Sequence, residues 1–271
     1  MSSQEPQPGQ AAAGLGRGIL SDVRVIEIGD ETSEYCGLVL AGLGADVVKI
    51  EPPGGSPSRR IGPFYHDQED PEKSLFFWQY NHGKRSIVLD IRDRRGQDRL
   101  WTLLSTADVV VNSLPREEMN RAGLNGEALV VQFPSLIVAR LSPFGDTGPW
   151  ADLKSSDLVQ LALGGVMMNC GYDPLPGGTY DQPPIAPQMW HSIHISGEQL
   201  AMAIVAALTY RYRTGKGQVL TCAMHDAVAK CTESDLQNWI MLAINLQRQG
   251  DWGGYGEELR RLEQVLKQMA R

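Results

Sequence analysis

Residues 23–50, VRVIEIGDETSEYCGLVLAGLGADVVKI, read as strand, helix and strand in succession. Val23–Ile28 and Asp46–Ile50 are apolar at nearly every position, the pattern of parallel strands buried on both faces. Between them the spacing predicts a helix over Thr32–Leu43, stopped by Gly44, a good C-terminal cap. Working outward, further β-branched runs lie at Ser86–Ile91, Asp108–Asn112, Leu136–Leu141 and Gln218–Met224. Residues 92–106 place Leu100, Leu103 and Leu104 on one helical face, and further helices are expected at Asp157–Leu163 and about Gly197–Arg211. Strands alternating with helices predict an α/β fold with a Rossmann-like, doubly wound parallel sheet. SPFGDTGP, residues 142–149, then forms a tight loop at a carboxyl strand end, where ligands of such sheets sit.

Composition excludes several functions. With 25 Lys and Arg against 32 Asp and Glu the net charge is −7, which lacks the basic footprint of nucleic-acid binding. The four cysteines, Cys36, Cys170, Cys222 and Cys231, are scattered and read as reduced core residues. The longest apolar stretch, Leu200–Leu208, is far short of a membrane span, and no charged n-region leads into an apolar segment, so a cytoplasmic protein is expected. A dinucleotide fingerprint is missing, because Gly29 is followed by Asp30 and Glu31, which would repel a pyrophosphate. Gly83-Lys84 is followed by Arg85, which breaks the phosphate-loop pattern. Gly54–Ser58 lacks the last glycine of a nucleophile elbow. His191 and His194 could share a metal on a helix, but no third ligand is grouped with them, and no metal is expected.

Six segments, taken in order, point to a family. They are LSDVRVIEIGDETSEYCGLVLAGLGADVVKIEPPGG (20–55), NHGKRSIVLDI (81–91), LLSTADVVVNSLPRE (103–117), PSLIVARLSPFGDTGPW (134–150), SDLVQLALGG (156–165) and ALTYRYRTGKGQVLTCAMHDAV (207–228). Together they resemble the family III CoA-transferases, which include formyl-CoA, carnitine and benzylsuccinate CoA-transferases. The resemblance implies a CoA-binding Rossmann-like large domain over 19–224 and, over 225–271, a helical linker with the start of an incomplete small domain; residues 1–18 are expected to be a disordered tail. It also implies CoA or acyl-CoA as substrate rather than a permanently bound cofactor. The partner expected is a second subunit, in a homodimer or in a heterodimer with a full-length CoA-transferase chain. By position in the family pattern the CoA-contacting set is Gly29, Asp30, Glu31, Thr32, Ser33, Pro52, Asn112, Arg116 and Ser142. Arg59, Arg60, Lys84, Arg85 and Arg116 are the expected partners for its phosphate end. Relatives often carry Gly where this chain has Arg116.

The same resemblance implies an aspartate nucleophile that takes the acyl group from the donor thioester. Its place is four residues before the glycine that opens the long helix. Counting back from Thr214 puts that glycine at Gly197 and the nucleophile at Ile193, which has no nucleophilic atom. The fallback candidates are Asp181, Glu198 at the expected helix start, and His194, with His191 also close by. The racemase branch of the fold is disfavoured as well, since Ser156 precedes Asp157 where a histidine would stand. The expectation is a CoA-binding, non-catalytic subunit of a heteromeric transferase. An active transferase with a displaced carboxylate and a structural or regulatory pseudoenzyme remain alternatives.

Overall fold

The computed structural model describes residues 18–170, 175, 182, 183, 185–232 and the single positions 245, 248, 249, 253, 256, 257 and 260. Asp181, the tail 1–17 and nearly all of the segment after Thr232 lie outside the described residues.

The elements follow the βαβ rhythm: β1 Arg24–Ile28, α1 Glu31–Gly42, β2 Asp46–Glu51, α2 Leu75–Asn81, β3 Arg85–Val88, α3 Arg94–Leu104, β4 Val109–Asn112, α4 Arg116–Arg121, α5 Gly126–Gln132 and β5 Ile137–Ser142. They continue with α6 Asp157–Leu163, α7 His191–Thr214, β6 Val219–Ala223 and α8 Met224–Lys230. The six strands form one sheet in the order β3-β2-β1-β4-β5-β6, every neighbouring pair parallel. This is the doubly wound Rossmann-like sheet expected, and its order reverses between β1 and β4.

Alternation along the strands divides the core in two. Val25, Val47, Val109, Ile137 and Ala139 face α1 and α7, where they meet Cys36, Leu40, Leu200 and Ile204. Ile26, Ile28, Val48, Ile50 and Val110 face the other way, against Leu100, Leu104, Met119 and Leu129 of α3, α4 and α5. Each fully buried aliphatic side chain stabilises the fold by roughly 1.5–3 kcal/mol relative to an exposed one.

Two expectations about α7 are corrected. The helix starts at His191, six residues before Gly197, so Gly197 does not open it and Glu198 gains no helix-start dipole. Gly197 is instead a packing glycine: a Cβ there would lie 3.0 Å from the Cys36 amide nitrogen and 3.1 Å from Tyr35, so its absence lets α7 lie close against α1. The β3 strand is also shorter than expected. It ends at Val88, opposite Glu51, where its single neighbour β2 also ends.

The chain divides into two compact units, Met1–Leu153 with Ile193–Ala223, and Lys154–Ser192 with Met224–Arg271. Lys154–Ser192 groups with the C-terminal residues. In the second unit Ser156 caps α6 by accepting from the Val159 amide at 3.3 Å, and Asp157 accepts from the Ser192 amide at 2.8 Å and hydroxyl at 2.5 Å. Gly164 lies against Val228 where any side chain would collide. Among the described residues no helix is long and apolar enough to cross a membrane.

Candidate functional site

The carboxyl ends of β1 and β4 are in register, Ile28 opposite Asn112, at the point where strand order reverses, the place where doubly wound sheets take their ligands. Gly29 leaves β1 with φ +142°, and a Cβ there would overlap the Ser113 hydroxyl. Ser113 follows β4 and ties the two strand ends together. Its Oγ accepts from the Asp30 amide at 3.1 Å and is 3.0 Å from both Asp30 Oδ1 and Ser33 Oγ. Asp30 in turn caps α1, accepting from the Thr32 amide at 3.2 Å and from the Thr32 hydroxyl. Asn112 Oδ1 accepts from the Leu114 amide at 2.9 Å and turns the chain toward α4. The Ser33 and Ser113 hydroxyls are buried and satisfied by one another and by Asp30, so they lock the β1–α1 turn to the end of β4.

Beneath it lies a fully buried ionic quartet. Lys49 of β2 reaches Glu27 of β1 at 3.0 Å and Glu34 of α1 at 2.9 Å, and Lys84 reaches the other Glu27 oxygen at 2.8 Å. Lys84 also donates to the Glu34 carbonyl and to Asn81. Ser58 donates to Glu34 Oε1 at 2.5 Å, with Ser56 at 3.3 Å. Gly37 makes room for the quartet, since a Cβ at that position would overlap the Glu27 carboxylate. Burial pushes the Glu34 carboxyl up, but Lys49 and the Ser58 hydroxyl outweigh it and hold the group below the usual carboxylate range. Lys49 is likewise lowered by burial and raised further by Glu27 and Glu34, ending above the usual lysine range, whereas burial dominates at Lys84 and brings it down.

The expected phosphate partners have distinct surroundings. Arg59 donates from Nε and Nη2 to the two oxygens of Glu51 at 2.6 and 2.9 Å and from Nη1 to Glu72 at 3.1 Å, while its guanidinium lies 3.8 Å over Phe77. Arg85 is engaged bidentately by Asp46. Lys84 belongs to the buried quartet. Arg60 and Pro52 are exposed, and Ser142 is buried at the end of β5. Thus the structure brings Gly29, Asp30, Thr32, Ser33 and Asn112 to the carboxyl ends of β1 and β4 and spends Arg59, Lys84 and Arg85 on internal partners.

Ile193 lies in the first turn of α7 with 2% of its surface exposed. Next to it, His194 Nε2 is 2.6 Å from the Tyr80 hydroxyl, and its ring is 4.5 Å from that of Tyr35. Glu198 is exposed. Among the described residues no group of three or more His, Cys, Asp or Glu side chains is placed to hold a metal ion.

Sequence reading passed over Ser113, Tyr80 and the charged residues inside strands. The signal for the last was present: Glu27, Lys49 and Arg140 each interrupt an otherwise apolar strand, and a charge in such a position must find a partner.

Acid titration should expose these carboxylates. The Arg59, Ser86 and Ser56 hydrogen bonds outweigh burial at Glu51 and bring its carboxyl down to about 2 from 4.5, and Glu34 shifts in the same direction. Groups that release protons more readily when folded add stability above their unfolded value, and it is lost as pH falls through the folded one. Glu31, raised mainly by burial, works the opposite way. The midpoint of urea unfolding is therefore expected to fall steadily from pH 4.5 toward pH 2. A Glu51→Gln variant should start lower at pH 7 and lose less over that range.

The sequence matches the model of CoA-transferase family III over residues 20–256. The chain belongs to this family. It is 35% identical over 219 residues to the succinyl-CoA:(R)-benzylsuccinate CoA-transferase subunit BbsE of Thauera aromatica, covering 81% of this chain and 52% of that one. It is 33% identical to the succinate–glutarate CoA-transferase of Agrobacterium fabrum, covering 82% and 55%. Among solved structures, a CAIB/BAIF family protein from Brucella suis superposes with a TM-score of 0.74 at 29% identity, covering 83% of this chain and 58% of that one. The chain spans about half the length of the curated relatives it matches.

Proposed function

We propose that this family III chain binds a CoA thioester at the carboxyl ends of β1 and β4 and serves as the non-nucleophilic subunit of a heteromeric CoA-transferase. The observation that carries the reading is Ile193, a buried aliphatic side chain at the position counted for the family's aspartate. A relative named as a subunit of a benzylsuccinate CoA-transferase supports the heteromeric part. In this reading CoA or acyl-CoA is a ligand and not a resident cofactor, the molecule works as a cytoplasmic homo- or heterodimer, and acyl transfer runs through the carboxylate of a second family III subunit. The β1–α1 turn at Gly29 holds the CoA arm, supported by the buried Ser33 and Asn112, and Ile193 leaves the thioester carbonyl without an attacking group. Any effect of this chain on the reaction is then one of positioning.

The alternative of a displaced carboxylate has two carriers. Glu198 sits five residues on from Ile193, roughly 140° round the helix, and faces solvent. Asp181 lies outside the described residues. Incubation of the chain with succinyl-CoA, borohydride or hydroxylamine trapping and intact-mass measurement separates the readings. No adduct is expected. An adduct mapped to Glu198 or Asp181 would establish an active transferase instead.

A further inference from the structure

The long helix α7 presses one stripe, Leu200, Ile204 and Ala207, against the strands and turns the opposite one outward. On the outer side Glu198, Met202, Ala206, Tyr210 and Arg213 succeed one another at spacings of four, four, four and three, and all five are exposed. At helical spacing they share one face about 120° wide. Met202 is 60% and Tyr210 44% exposed, so two large side chains stand in water in the middle of a face that carries an acid at one end and a base at the other.

Those two charges cannot serve each other. Glu198 and Arg213 are about 22 Å apart along a rigid helix, and among the described residues neither forms an ion pair. Arg211 shows the alternative: it lies on the opposite side of the same last turn and reaches back to Asp108 at 2.9 Å. Arg213 points away from the body of the protein.

The order acid, apolar, small, apolar, base is complementary to its own reverse. Consider a second copy of α7 laid antiparallel on the first, with the two-fold axis at Ala206. Met202 then meets Tyr210 of the second copy, each four residues from the axis, and the thioether lies on the ring. Glu198, eight residues from the axis, comes beside Arg213 of the second copy, seven residues from it. Each contact occurs twice, as two-fold symmetry requires. The small side chain of Ala206 lets the helices approach where they cross. A parallel arrangement would set Glu198 against Glu198 and Arg213 against Arg213, so the charges also choose the direction.

We infer that the outer face of α7 is a self-complementary interface through which two copies of this chain associate antiparallel. The inference rests on the dimeric part of the function proposed above and names its surface; it involves neither the β1–α1 turn nor the end of β4.

Sedimentation velocity of the full chain over a series of concentrations is the test. A monomer–dimer equilibrium is expected, and added salt should weaken it. Glu198→Arg and Arg213→Glu each set like charges opposite one another, and each should raise the dissociation constant at least tenfold while the circular dichroism stays unchanged. An equimolar mixture of the two variants brings every acid opposite a base again and should associate as the unaltered chain does. The double exchange Glu198→Arg/Arg213→Glu should do so as well. A dimer that neither reversal weakens would overturn this interface while leaving the dimeric reading intact. A mixture that stays monomeric would show that Glu198 and Arg213 do not face each other and would also overturn it. An unaltered chain that is monomeric at every concentration would overturn both the interface and the homodimer.

Discussion

Lys49→Met is expected to lower the free energy of unfolding by about 3–5 kcal/mol, the usual cost of removing one partner from a buried ion pair. Lys49 is fully buried and holds Glu27 at 3.0 Å and Glu34 at 2.9 Å. Without it two buried carboxylates share the single remaining ammonium of Lys84, and neither can reach water. Methionine fills a similar volume, so the loss reports charge and not a cavity. Adding Glu34→Gln to the variant should restore part of the stability, because it removes the uncompensated charge; that non-additivity separates an electrostatic cause from a packing one. Urea unfolding at pH 7 measures both. A loss under about 1 kcal/mol would mean that the quartet behaves like an exposed salt bridge and is not the sealed cluster described.

Gly29→Ala should be nearly as damaging, and at the level of function as well. The residue has φ +142°, which costs a side chain about 1–3 kcal/mol in strain, and its Cβ would also overlap the Ser113 hydroxyl. Relief requires Ser113 to move, and Ser113 is what joins Asp30 and Ser33 of the β1–α1 turn to the end of β4. Thermal unfolding should fall accordingly and CoA affinity should drop at least tenfold. In the double variant Gly29→Ala/Ser113→Gly the overlap disappears but the backbone strain remains, so about half of the lost stability should return. Full return would show that the left-handed conformation carries no cost there, and no return would show that Ser113 is not the obstacle.

The layout of the sheet was legible because the strands are unusually uniform: Val23–Ile28 and Leu136–Leu141 offer no polar face, which leaves a parallel, doubly covered sheet as the consistent reading. The limits of α6 were readable from the Ser156 cap and Gly164. The start of α7 was not, because HSIHIS contains no strong start signal and the one glycine nearby serves close packing against α1. Local sequence carries caps and turns but not the approach of a distant helix. The same reason hid part of the site. Gly29 and Asp30 were visible as a glycine turn after a strand, whereas Ser113 and Tyr80 acquire their roles only through partners 83 and 114 residues away. Arginines chosen for their charge alone proved the least readable. Arg59 and Arg85 are matched by acids elsewhere in the chain, Glu51 and Asp46, which one-dimensional proximity does not reveal.

Calorimetric titration of the full chain with CoA tests the central claim most directly. Saturable binding of one CoA per chain is expected, with affinity reduced at least tenfold in Gly29→Ala. Absence of heat from protein that is folded by circular dichroism, or binding that Gly29→Ala leaves intact, would contradict a CoA site at the carboxyl ends of β1 and β4.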